Sequence, residues 1–245
     1  MTSKLTIVIL LLLFGVGCNA SSQSYPGPQP YPGPSSQVSP RGYPGPQEFS
    51  SPEARPTSAA TSFFDSADRA YQAGLLDQAI ADYTSAIAAN PNYLEAYYNR
   101  AIAFDDKGDA DRAIADYNRA IEIDPKYARA YYNRGIIYYK QGNWDRAIAD
   151  YDQTIALVPN ASRALNNRGI AYDAKGNSDQ AIADYNRAIE IDPAFADAFM
   201  NRGAAYRDKG LKDLAIDDFG AFLRMADDSP NRSLVEEWLN ELRGP

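Results

Sequence analysis

Tyr131-Tyr132-Asn133-Arg134-Gly135-Ile136-Ile137-Tyr138, followed by Ala147-Ile148-Ala149-Asp150-Tyr151 and closed by Pro159, is one copy of a pattern that fills most of the chain. Pro91, Pro125, Pro159 and Pro193 stand 34 residues apart, as do Gly74, Gly108, Gly142, Gly176 and Gly210. The period defines units 60–93, 94–127, 128–161, 162–195 and 196–229. Within the second unit, Tyr97, Ala101 and Phe104, then Ala113, Tyr117 and Ala120, recur at three- and four-residue spacing, which predicts two amphipathic helices. Gly108 supplies the left-handed conformation that ends the first helix. Asp109, Asn143 or Asn177 is placed to cap the second, with Asp111, Asp145 and Asp179 favourable in its first turn. Each proline then stops the second helix, because it pushes the residue before it out of helical geometry.

This 34-residue pattern resembles the tetratricopeptide repeat, and the resemblance covers about three quarters of the chain. It implies an all-α fold: a right-handed superhelical solenoid of helix-turn-helix units. One unit cannot bury both of its faces, so five must stack. Ala67, Ala101, Gly135, Gly169 and Gly203 share a register where a small side chain lets paired helices approach closely. The fifth unit departs, with Asp227 in place of proline and Phe222 where the others have Ala or Thr. After it, Ser233-x-x-Glu236 reads as a capping box ahead of Leu234, Val235, Trp238, Leu239 and Leu242, a helix over 230–245 that caps the last unit.

The resemblance also locates a partner groove. In the family, the first helices of successive units line a concave face that grips an extended or helical peptide. Carried over by register, this face has an asparagine column at Asn99, Asn133, Asn167 and Asn201, whose amides can donate to and accept from a partner's backbone. Beside it lie Tyr98 and Tyr132, then Ile102, Ile136 and Ile170, and the pair Arg129 and Arg163, which can hold a carboxylate. The chaperone-binding clamp of the family needs Lys and Asn in its first unit. Here Phe64 and Asp68 stand in the first unit and Tyr98 and Ile102 in the second, which disfavours capture of a chaperone C-terminus. Arg100, Arg134, Arg168 and Arg202, against Asp82, Asp116, Asp150, Asp184 and Asp218, predict a structural ion-pair ladder in which each Asp meets the Arg 18 residues later, in the next unit.

Ahead of the repeats, the uncharged run 5–17 is too short to cross a bilayer of about 30 Å and matches the core of a secretory signal. Gly15-Val16-Gly17-Cys18 resembles the cleavage box of bacterial lipoproteins, in which the cysteine becomes the lipidated first residue. This resemblance implies a signal over 1–17, export, and a lipid anchor at Cys18 in the cell envelope; cleavage after Ala20, discarding Cys18, is the alternative. Residues 18–57, rich in Pro, Gly and Ser and containing three Tyr-Pro-Gly-Pro motifs, offer few apolar side chains to bury and read as a spacer.

Composition narrows the chemistry. Among 245 residues there is no His and one Cys, which excludes His-dependent relays, imidazole-ligated metals and internal disulfides. The net charge of −8 argues against a nucleic-acid partner. Acidic residues recur in every unit at capping or ladder registers, whereas a catalytic acid is expected at one singular site. The expectation is a non-catalytic adaptor that needs no cofactor or metal and binds a protein or peptide. The alternatives are an assembly factor for an envelope complex such as a secretin, pilus or outer-membrane protein, and a self-associating structural module.

Overall fold

A computed structural model describes residues 58–244. The signal, Cys18 and the spacer lie outside the described residues, which contain eleven α-helices and no strand. The helices pair as α1 (Ser58–Gln72) with α2 (Leu76–Ala89), α3 (Leu94–Asp106) with α4 (Ala110–Ile123), and α5 (Ala128–Lys140) with α6 (Trp144–Leu157). They continue as α7 (Ser162–Ala174) with α8 (Ser178–Ile191), and α9 (Ala196–Asp208) with α10 (Lys212–Met225), before α11 (Arg232–Arg243). Each helix packs on the next, and α7 also touches α5 and α9, so the first helices of the repeats form one continuous inner row.

The turns follow the sequence closely. Gly108 has φ +79°; its N–H donates to the Asp105 carbonyl at 2.8 Å and the Asp109 N–H to the Phe104 carbonyl at 2.8 Å, the double closure of a Schellman cap. Asp109 and Asn143 accept from the backbone N–H groups of Arg112 and Arg146, whereas the Asn177 side chain makes no cap bond. Close packing in the shared small-residue register is also observed. A Cβ on Gly169 would come within 2.6 Å of the Tyr185 ring, and one on Gly135 within 2.9 Å of the Tyr151 ring.

The ion-pair ladder exists in a different register from the one expected. Each Arg forks onto the Asp 16 residues later in its own repeat: Arg134 Nε to Asp150 Oδ2 is 2.8 Å and Nη2 to Oδ1 is 2.6 Å, with the same fork in Arg100–Asp116, Arg168–Asp184 and Arg202–Asp218. The remaining Nη1 reaches back to the preceding repeat, at Thr84, Asn118, Asp152 and Asn186. The reason is geometric: a guanidinium on the first helix faces its own second helix along one edge and the previous second helix along the other. Aromatic rings flank it, Arg100 lying 5.6 Å from the Tyr97 centroid and 5.8 Å from that of Phe104.

Both ends of the stack are finished. On α1, Ser62, Asp65 and Arg69 are exposed at registers where later repeats bury Ala96, Asn99 and Ala103. At the other end, α11 buries Val235, Trp238 and Leu239 against Phe219 and Phe222, with Arg207 4.4 Å from the Trp238 ring centroid. The capping box is not formed: α11 starts at Arg232 after Asn231, and Glu236 pairs with Arg232 at 3.1 Å instead of reaching back to a Ser233 cap.

Candidate functional site: the inner helical face

The inner row places the predicted groove residues together but turns most of them inward. Asn99, Asn133, Asn167, Asn201, Tyr98, Tyr132, Ile102, Ile136 and Ile170 are each at most 7% exposed. The exposed Tyr, Ile and amide surface expected from the register is therefore corrected to a closed wall. The amide donors are spent between repeats: Asn133 Nδ2 donates to the Tyr98 hydroxyl at 3.1 Å, Asn167 to Tyr132 at 3.0 Å, Asn201 to the Asn166 carbonyl oxygen at 2.9 Å, and Asn99 to Asp68 at 3.1 Å. The physical cause is the fully buried alanine register Ala96, Ala130, Ala164 and Ala198, which lets each first helix close on the preceding repeat. A sequence signal for this was present: each of the last three asparagines follows a Tyr or Asn by 35 residues.

Arg129 and Arg163 are the predicted residues that stay partly exposed. They lie in one column with Glu95 before them and Asp197 after, so two cations sit between two acids. Burial raises the Asp197 carboxyl above its ordinary range, and Arg163 pulls it back.

A second row on this face was missed from sequence. The Tyr71 hydroxyl donates to Asp106 at 2.5 Å, and Lys140 Nζ pairs with Asp105 at 3.0 Å, each link spanning 35 residues. Asp173 occupies the place equivalent to Asp105 two junctions further on. Burial holds its carboxyl up at about 6; the Tyr185 and Ser178 hydroxyls lower it, and Asp208 raises it again. Complementary residues 35 apart would have been the clue. Asp68 is also internal, accepting from the Tyr83 hydroxyl at 2.5 Å and from Asn99.

This geometry defines a class of protein: a helical-repeat scaffold whose inner face is a braced wall bearing a short charged row. Tetratricopeptide-repeat profiles match residues 83–115, 132–194 and 172–230, and a TPR-repeat profile matches 103–142. The chain belongs to the tetratricopeptide repeat family. Among solved structures it is similar to MamA, at 30% identity and a TM-score of 0.64 over 69% of this chain and 92% of that one. It also resembles YrrB, described as a TPR protein with an unusual peptide-binding site (21% identity, TM-score 0.61, 73% of this chain and 92% of that one). A third is PilW, described as a type IV pilus biogenesis factor (20% identity, TM-score 0.68, 77% and 87%). No protein of curated function matches the sequence.

Proposed function

We propose that this protein is a non-catalytic adaptor, exported and held at a membrane of the cell envelope through a lipid on Cys18, that grips a protein or peptide on its inner face. Arg129 and Arg163 receive an acidic group of the partner, and the buried Asn, Tyr and Ile columns fix the spacing of the helices that carry them. The observation that carries this reading is the partial exposure of these two arginines on a wall whose other predicted contact residues are buried. The peptide-binding site of the similarly folded YrrB is consistent with it. Asp68, a carboxylate within the first repeat, opposes capture of a chaperone C-terminus.

The test is affinity capture from membranes with the intact protein and with Arg129→Ala/Arg163→Ala. A partner lost in the double variant supports the site, and one retained at equal yield refutes it. Cys18→Ser, followed by membrane fractionation and mass analysis of the N-terminus, tests the anchor; unchanged membrane association and mass refute it.

A further inference from the structure

The first repeat keeps two parts of a device whose third part is missing. In repeats two to five the register holds an arginine, a carboxylate that its fork grips, and an aromatic or aliphatic side chain three residues before it: Tyr97, Tyr131, Leu165 and Phe199. In the first repeat the ring is Phe63 and the carboxylate is Asp82, but the arginine is replaced by Ser66, and the second flanking ring by Ala70. The consequences are visible in exposure. Phe63 is 42% exposed, and Asp82 stays partly open, while Asp116, Asp150, Asp184 and Asp218 are 4–6% exposed.

Asp82 accepts one bond on each oxygen, from Ser66 Oγ at 2.8 Å and from Gln78 Nε2 at 2.9 Å. A carboxylate has about four acceptor positions, so both oxygens can still take a second donor. Among the described residues no cation pairs with Asp82.

We propose that the open face of α1 is a docking point for an arginine carried by a protein partner, with the guanidinium forked on Asp82 and laid over the Phe63 ring. Three filled copies in the same molecule, Arg100 over Tyr97, Arg134 over Tyr131 and Arg202 over Phe199, show the chemistry that this pair of groups takes. Arginine is selected over lysine because only the planar fork can bond both carboxylate oxygens while stacking on a ring. The contact is end-on, separate from the inner face, so it can join a second protein to the scaffold without competing for the row at Arg129 and Arg163.

Titration of the isotopically labelled full chain with acetyl-Ala-Arg-Ala-amide, followed by NMR, tests the proposal. Saturable shifts are expected at Phe63, Ser66 and Gln78, with a dissociation constant on the order of millimolar. The lysine counterpart should bind roughly threefold to fivefold more weakly. Ser66→Arg, which installs the residue the other repeats carry, and Asp82→Asn should each abolish the shifts, while Arg129→Ala/Arg163→Ala leaves them unchanged. Equal binding of the lysine peptide, persistence of the shifts in Ser66→Arg, or no saturable shift in the parent protein overturns the proposal.

Discussion

Double-mutant cycles on Arg134 separate the two possible ladder registers. Arg134 forks onto Asp150 in its own repeat and reaches Asn118 in the preceding one, whereas Asp116, its partner by sequence register, is held by Arg100. Both members of the Arg134–Asp150 pair are largely buried, with side-chain exposures of 17% and 6%. Two charge-assisted hydrogen bonds at about 1.5–3 kcal/mol net each set the upper end of the scale. Burial cancels part of this: the Asp150 carboxyl lies above its ordinary range, raised by desolvation against the pull of Arg134. A coupling of about 2 kcal/mol between Arg134→Gln and Asp150→Asn is therefore expected. Each single variant costs more than its share of that, about 3 kcal/mol, because it strands one buried partner. Coupling of Arg134 to Asn118 should be about 1 kcal/mol, and coupling to Asp116 near zero. Urea unfolding monitored by circular dichroism supplies the free energies, and each kcal/mol should move the thermal midpoint by about 2–4 °C. Coupling to Asp150 below about 0.5 kcal/mol, or equal coupling to Asp116, would refute the within-repeat fork.

Other consequences follow from single residues. Asp173 has a folded-state pKa of about 6, above the ordinary carboxylate value. Its ionised form therefore weakens the fold at neutral pH, and the penalty is relieved as pH falls through 6 toward about 4, the unfolded value. Asp173→Asn should raise stability by about 2 kcal/mol at pH 7.5 and by little at pH 4, compared through urea midpoints; an equal effect at both pH values contradicts this. Gly142 has φ +74° with open space around its Cα, so Gly142→Ala should cost about 1 kcal/mol from backbone strain alone, while Gly142→Asn costs less. Trp238 is buried on Phe219 at a centroid distance of 5.5 Å, and Trp238→Ala should cost about 3–5 kcal/mol. Hydrogen exchange should then accelerate first in α9 to α11, and uniform acceleration across all repeats would show that α11 is not a local cap.

The helices, their turns and the stacking of five units were legible because each is a local consequence of a repeated pattern. A positive-φ glycine, a proline and a three-four apolar spacing act within one unit and need no knowledge of its neighbours. The candidate site was legible only in part. Register correctly put Asn99, Asn133, Asn167 and Asn201 in one row, but it carries no measure of how closely each first helix approaches the preceding repeat. That distance is set by Ala96, Ala130, Ala164 and Ala198 packing across repeats, and it converts an expected amide surface into internal bonds to Tyr98, Tyr132, Asn166 and Asp68. The Arg–Asp ladder shows the same division. Sequence identified both columns, yet residues 16 later and 18 earlier are equally available to a periodic string, and only the facing edges of two helices choose between them. The repeat, its turns and the presence of a terminal helix were thus determined by sequence alone. Which polar groups face outward, and the exposure of Phe63 and Asp82 beside Ser66, were decided by tertiary packing, because exposure depends on what the neighbouring repeat places against each side chain.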